Sequence, residues 1–278
     1  MKKIFISADL EGVCGVVAPE DIEEVGSNYQ TARIWMTDEL NAVIDGLCEG
    51  GADEIVVCDS HNIAQNILYD RLDPRAQLLR GTTRPDSMVH SIDSSYSGLL
   101  CTGYHAKFGT QHALLDHTYD AIKVRNISIN GKSVGELGFN SYLAAERGVP
   151  LLMTSGDAAL AAEAVDFCPQ AEAVILKWAE GRFCGRCLSM KEAHEKIRAA
   201  AKRAAENVGV IAPVEVPKDP YMEITFQQVN LADGAERVPG TKRIDAFTVG
   251  IRCRSIEEAM RARQVMTEAG AEFYSPLF

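Results

Sequence analysis

The chain has little positive charge. Its 278 residues carry 28 Lys and Arg against 39 Asp and Glu, a formal net charge of −11. Surfaces that hold phosphate backbones or anionic lipid are usually basic, so this balance argues against nucleic acid and against a membrane surface as partners. Long hydrophobic runs are also missing. No stretch approaches the roughly 18–20 apolar residues of a membrane span, and Ile4-Phe5-Ile6 ahead of Asp9 is shorter than the apolar core of a signal peptide. The eight cysteines (14, 48, 58, 101, 168, 184, 187 and 253) are scattered through apolar segments. Cys184-Gly-Arg-Cys187 has no second cysteine pair to complete a zinc site, and the strand and loop before it do not resemble a thioredoxin unit. The expectation is reduced core thiols in a cytoplasmic protein. A phosphate loop is lacking as well, because Gly131-Lys132-Ser133 would need its first glycine where Asn126 stands. Internal repeats and low-complexity segments are absent.

What remains is the composition of an ordinary globular protein, 46% hydrophobic and 24% charged, long enough to bury a core without disulfide staples. Ile4–Ala8, Glu54–Cys58, Gly98–Thr102 and Pro150–Ser155 read as buried strands. A helix is expected from about Thr31 to Glu49, with Met36, Leu40, Val43, Ile44 and Leu47 on one face and Gly50-Gly51 as its stop. Asn126–Val134 reads as a hairpin about Asn130-Gly131 and is followed by a helix over Gly135–Arg147. A helix near 158–167 and a strand near 172–177 follow. Ser189/Glu192 and Ser255/Glu258 are capping boxes that open two further helices. Pro213, Pro217 and Pro220 mark a linker, beyond which strands are expected at Tyr221–Gln227 and Ala246–Arg252. The expected fold is α/β, a mostly parallel sheet with flanking helices, plus a small C-terminal α+β domain. Its expected division is 1–210 and 211–278.

Three of these strands run into polar, metal-competent residues: Asp9 and Glu11, then Asp59 and His61, then His105. Ligands of open α/β sheets bind beyond the carboxyl ends of the strands. Asp9 and Glu11 are two apart and point to the same side of an extended chain. Carboxylates with two histidines suit zinc or a similar divalent ion, and a carboxylate can bridge two ions. Taken singly, each of these residues reads equally well as a turn former or helix cap.

The ordered motifs resemble the zinc-dependent D-aminopeptidase family. They are Ser7-Ala8-Asp9-Leu10-Glu11-Gly12, Asp59-Ser60-His61, Gly103-Tyr104-His105-Ala106, Asp116-His117-Thr118 and Val134-Gly135-Glu136-Leu137-Gly138-Phe139-Asn140. The resemblance extends to about Leu188 and more loosely beyond. It implies a binuclear zinc site with Asp9 bridging and Glu11, His61, His105 and Glu136 as the other ligands. It also implies a catalytic histidine at His117. His112 lies in the same loop, and His117 is preferred because Thr118 follows it as the motif expects. Asn140 stands four residues after Glu136 on the same helix face and is a supporting or substrate-amide candidate. Asp59 is expected to orient His61 or its turn.

The implied activity is removal of an N-terminal D-amino acid, such as D-alanine, from short peptides or amides. Two divalent ions stabilise hydroxide near neutral pH and polarise the scissile carbonyl. His117 could attack, move a proton or steady the oxyanion, and the latter two roles suit a site that already has a nucleophile. Two alternatives stay open: a binuclear amidohydrolase or phosphoesterase of another small metabolite, and a non-catalytic metal-containing binding protein. The family further implies a ring-shaped homo-oligomer, a decamer. Two bound divalent ions would bring the formal −11 to −7.

Overall fold

The computed structural model describes residues 1–276. In chain order the elements are β1 (Lys3–Ala8), α1 (Pro19–Ile22), α2 (Tyr29–Glu49), β2 (Glu54–Asp59), β3 (Ala76–Leu79), β4 (Gly98–Thr102), β5 (Val124–Ile129), β6 (Lys132–Val134), α3 (Glu136–Glu146) and β7 (Leu151–Asp157). There follow α4 (Ala158–Phe167), β8 (Glu172–Gly181), β9 (Cys184–Cys187), α5 (Met190–Glu206), β10 (Tyr221–Phe226), α6 (Val229–Ala235), β11 (Thr241–Arg243), β12 (Thr248–Arg252) and α7 (Ile256–Ala271).

A seven-stranded sheet in the order β3-β2-β1-β4-β7-β8-β9 forms the centre. Every pairing in it is parallel except β8 with β9. Its inner strands are apolar on both sides, as a strand covered by helices on each face must be. In β1 the pleat sends Ile4 and Ile6 into one core and Phe5 into the other. The first core lies against α2 and α5. Helix α5 buries Ala193, Ala200, Ala201, Ala204 and Ala205, so the two helices approach closely; a Cβ on Gly46 would stand 2.1 Å from the Arg198 carbonyl oxygen.

The second core joins the large sheet to a five-stranded antiparallel sheet in the order β11-β12-β10-β5-β6. The expected hairpin is there, with Asn130 at φ 50° and Gly131 at φ 81°, the left-handed pair that a tight hairpin turn requires. Its partner is β10, with Ile127 opposite Ile224. The C-terminal segment therefore completes its sheet with strands from 124–134. It also shares a core with β1 and β4 through α3 and α7. The fold is α/β with a mostly parallel sheet and flanking helices, to which this smaller α+β layer is added. Both Ser189 and Ser255 accept from the backbone N–H three residues on, as their capping motifs require. The short elements α1, β3, β9, α6 and β11 carry too little periodicity to be visible beforehand. Cys184 on β9 is exposed and Cys187 half-buried, and both thiols are free.

From β1 the chain passes to β2 on one side, while β4 lies on the other, so the topology reverses between β1 and β4. Here the two strand ends are knitted together. Asp9 N–H donates to the Thr102 carbonyl at 2.8 Å, and Gly12 N–H to the Gly103 carbonyl at 2.7 Å. Only a glycine fits at position 12, where a Cβ would fall 1.9 Å from the Tyr104 carbonyl oxygen. Gly12→Ala is expected to force the strand ends apart and cost about 1–3 kcal/mol, measured as a lowered midpoint of thermal or urea unfolding.

Candidate metal centre

Each sequence-predicted ligand leaves the end of an element at this reversal point. Asp9 and Glu11 follow β1, His61 follows β2, His105 follows β4, and Glu136 is the first residue of α3. His117 comes from the long loop between β4 and β5. The ligand atoms of Asp9, Glu11 and His61 lie within 4.8 Å of one another; so do those of Asp9, His105 and Glu136, and those of Glu11, His105 and His117. Asp9 is shared by the first two groups, and its two oxygens face different ways. Oδ1 is 3.3 Å from His61 Nδ1, and Oδ2 is 3.6 Å from His105 Nε2. This is the placement of a carboxylate that bridges two ions.

The histidines are held by backbone. His61 Nε2–H donates to the Ile22 carbonyl (3.0 Å), His105 Nδ1–H to the Ala106 carbonyl (3.0 Å), and His117 Nδ1–H to the Leu115 carbonyl (2.8 Å). In each ring the other nitrogen points into the carboxylates, where it can hold a proton or, in a ligating imidazole, a metal ion. His105 Nε2 is buried and has no hydrogen-bond partner. A buried ring nitrogen without a hydrogen-bond partner among carboxylates is what a divalent cation would satisfy, so the donor set fits two such ions.

Electrostatics point the same way. Burial and the neighbouring Glu11 push the Asp9 carboxyl up to about 8. Burial alone would lower His61 and His105, but the facing carboxylates outweigh it and hold both well above the usual histidine value. Burial would raise Glu11 and Glu136, and the imidazoles beside them outweigh it in turn. The cluster thus gathers positive charge, as protons when no cation is present. His117 differs: burial and the adjacent His105 hold it below the usual value. It stacks on His105 with ring centroids 3.9 Å apart, and its Nε2 stands 3.7 Å from both Glu11 and Glu136.

A D-aminopeptidase family profile matches residues 1–265. A curated D-aminopeptidase of Bacillus subtilis (strain 168) is 33% identical over 267 residues, spanning 96% of this chain and 97% of the relative. The solved structure of the Zn-dependent D-aminopeptidase DppA from Bacillus subtilis, described as a self-compartmentalizing protease, superposes with a TM-score of 0.94 at 32% identity. It covers 97% of this chain and 98% of that one. The chain belongs to the D-aminopeptidase family.

In this family member the supporting side chains are as informative as the candidate ligands. Asp59 stays outside the three groups. It accepts from Asn66 N–H (2.6 Å), Ile67 N–H (2.8 Å) and the Asn66 side-chain amide (2.7 Å), which itself donates to the His61 carbonyl. It therefore pins the loop that carries His61. Asn140 is fully buried behind the centre. It donates to the Tyr104 hydroxyl (2.9 Å) and accepts from the Tyr119 hydroxyl (3.1 Å), bracing the loops that carry His105 and Glu136's partner Tyr119. Tyr119 N–H donates to Glu136 Oε1 at 2.6 Å. His112 belongs to none of the three groups and is exposed.

Sequence reading passed over Lys177. It lies in β8, 1% exposed, and its ammonium donates to the carbonyls of Glu11, Val13 (2.9 Å) and Val16. A lone lysine between Val174-Ile175-Leu176 and Trp178-Ala179 was the available signal. All three bonds go to the loop that positions Glu11. Lys177→Met is expected to weaken zinc affinity about 10- to 100-fold, measured by chelator competition. Because a cation must displace the protons held by His61, His105 and Asp9, apparent zinc affinity is also expected to fall as the medium is taken from about pH 8 to pH 6.

Proposed function

We propose that this chain is a zinc-dependent exopeptidase that removes the N-terminal D-amino acid, such as D-alanine, from short peptides or amides. Two zinc ions would be held by Asp9, shared between Glu11 and His61 on one side and His105 and Glu136 on the other. The observation that carries this reading is the inward-facing nitrogen of His61 and of His105 among buried carboxylates, on a chain that belongs to the D-aminopeptidase family. The D preference is drawn from the family and its relatives.

When bound, the ions would make water a better nucleophile and polarise the scissile carbonyl. The chain's own part is positioning and proton movement. The Leu115 carbonyl fixes the His117 tautomer, leaving Nε2 free to accept a proton. Once protonated, the same nitrogen can donate to the departing amine or the developing oxyanion. The centre opens into a cavity of about 520 Å³ whose apolar lining includes Ile22, Met88, Leu115 and Phe183, room for a short peptide.

The solved relative is described as self-compartmentalizing, and we carry this over as a homo-oligomeric ring of ten copies, each of 30.3 kDa. The described cysteines are all free and no described helix is long and apolar enough to cross a membrane, which supports a place in the cytoplasm.

The purified protein is expected to contain zinc and to release D-alanine, but not L-alanine, from the corresponding dipeptides in a chelator-sensitive manner. Asp9→Ala should lose both metal and activity. His117→Ala should lower kcat by about 10²–10⁴ with zinc content unchanged by elemental analysis. Loss of zinc from that variant would instead make His117 a ligand, and phosphoester cleavage without amide cleavage would overturn the peptidase reading.

A further inference from the structure

The cavity above the metal centre is lined by two strong cations, Arg182 and Arg263. They are not equivalent. Arg182 is engaged: its guanidinium donates to the Asp116 carboxylate at 2.8 Å and to the Asp116 carbonyl at 2.7 Å. Arg263 makes no ion pair with any described carboxylate, although it is only 7% exposed. Its Nε is buried without a hydrogen-bond partner, and its Nη2 reaches only the Met260 sulfur, at 3.7 Å. The guanidinium lies 3.9 Å above the Tyr119 ring, a cation–π contact that fixes its position but leaves the Nε–H unsatisfied. The nearby Asp120 is turned to Lys123.

A guanidinium so far from bulk water is costly unless an acceptor meets it. Its fork matches a carboxylate in charge and geometry. The location selects which carboxylate. Arg263 lines the same cavity as Asp9, Glu11 and Glu136, and Tyr119, under its guanidinium, binds Glu136 through its backbone N–H. A carboxylate that meets Arg263 is therefore carried by a molecule lying in this cavity beside the metal centre, and a very short peptide carries one close to its scissile bond.

We infer that Arg263 receives the free C-terminal carboxylate of a very short peptide whose scissile carbonyl lies at the metal centre, so that the site favours dipeptides ending in a free acid over their amides. This rests on the peptidase reading and narrows its substrate class. It also gives the C-terminal segment a part in the chemistry, since Arg263 comes from α7. The residue sits between Met260 and Met266 on the buried face of that helix, and an arginine on an apolar helix face was the signal in the sequence.

The test uses the zinc-loaded enzyme with D-Ala-D-Ala and D-Ala-D-Ala amide, and calorimetric titration with a phosphinate isostere of the dipeptide as free acid and as carboxamide. Wild type is expected to favour the acid in both assays. Arg263→Met should raise KM for the acid and weaken binding of the acid isostere about 10- to 100-fold, leave both amide values within about 2-fold, and change kcat little. Arg263→Lys should recover part of the loss. Unfolding midpoints of both variants are measured alongside, because a merely structural role would lower acid and amide together. Equal losses for acid and amide, or no wild-type preference, would overturn the inference. A wild type that binds the acid isostere in preference but cleaves neither peptide would support the carboxylate site while overturning the peptidase reading.

Discussion

Three buried carboxylates stand together at one end of this sheet without a lysine or arginine paired to any of them. Asp9, Glu11 and Glu136 are each under 5% exposed, and among the described residues their only side-chain ion partners are His61, His105 and His117. Uncompensated buried charge of this density is strongly unfavourable. Protons on the histidines and on Asp9 relieve it partly, and bound divalent cations would relieve it further. Much of the surrounding structure serves to hold these groups together against their repulsion.

That holding is done mainly by backbone. Each imidazole is tied to a carbonyl, Glu136 is met by the Tyr119 N–H, and the loop behind Glu11 is held through three carbonyls by the buried Lys177 ammonium. Lys177 thus lends positive charge near the centre without forming an ion pair with a ligand. Asp59 and Asn140 do similar work for the His61 and His105 loops. This division between groups that could touch metal and groups that fix the loops is a common route to a preorganised site.

The smaller sheet completes the centre from outside the parallel sheet. Its strand β6 leads directly into α3, so Glu136 arrives from a different layer than Asp9 or His105. The antiparallel pairing of β5 with β10 brings the C-terminal chain to the same core, and α7 then places Arg263 on the wall of the cavity. Two ends of the chain, distant in sequence, so frame one pocket.

The sequence by itself determined the local elements and the identity of the donors. Strand β4 was legible to the residue because five consecutive buried positions are bounded by turn-forming neighbours, and the helices at Ser189 and Ser255 because their caps are short-range motifs. Asp9, Glu11, His61 and His105 could be named as candidates because they follow strands, whereas His117 and Glu136 came only from the motifs that resemble the D-aminopeptidase family. Tertiary structure alone decided which nitrogen of each histidine faces inward, since that depends on carbonyls such as Ile22 that no spacing rule connects to His61. It alone decided that Asn140 is buried in a tyrosine network and that Lys177 reaches back over 161 residues of sequence separation to Val16. The pairing of 124–134 with 221–226 was equally hidden, because register between distant strands is set by packing of whole faces and not by any local preference. Of the 39 acidic residues, tertiary structure buries Asp9, Glu11 and Glu136 together, where histidines, protons or bound cations would neutralise them.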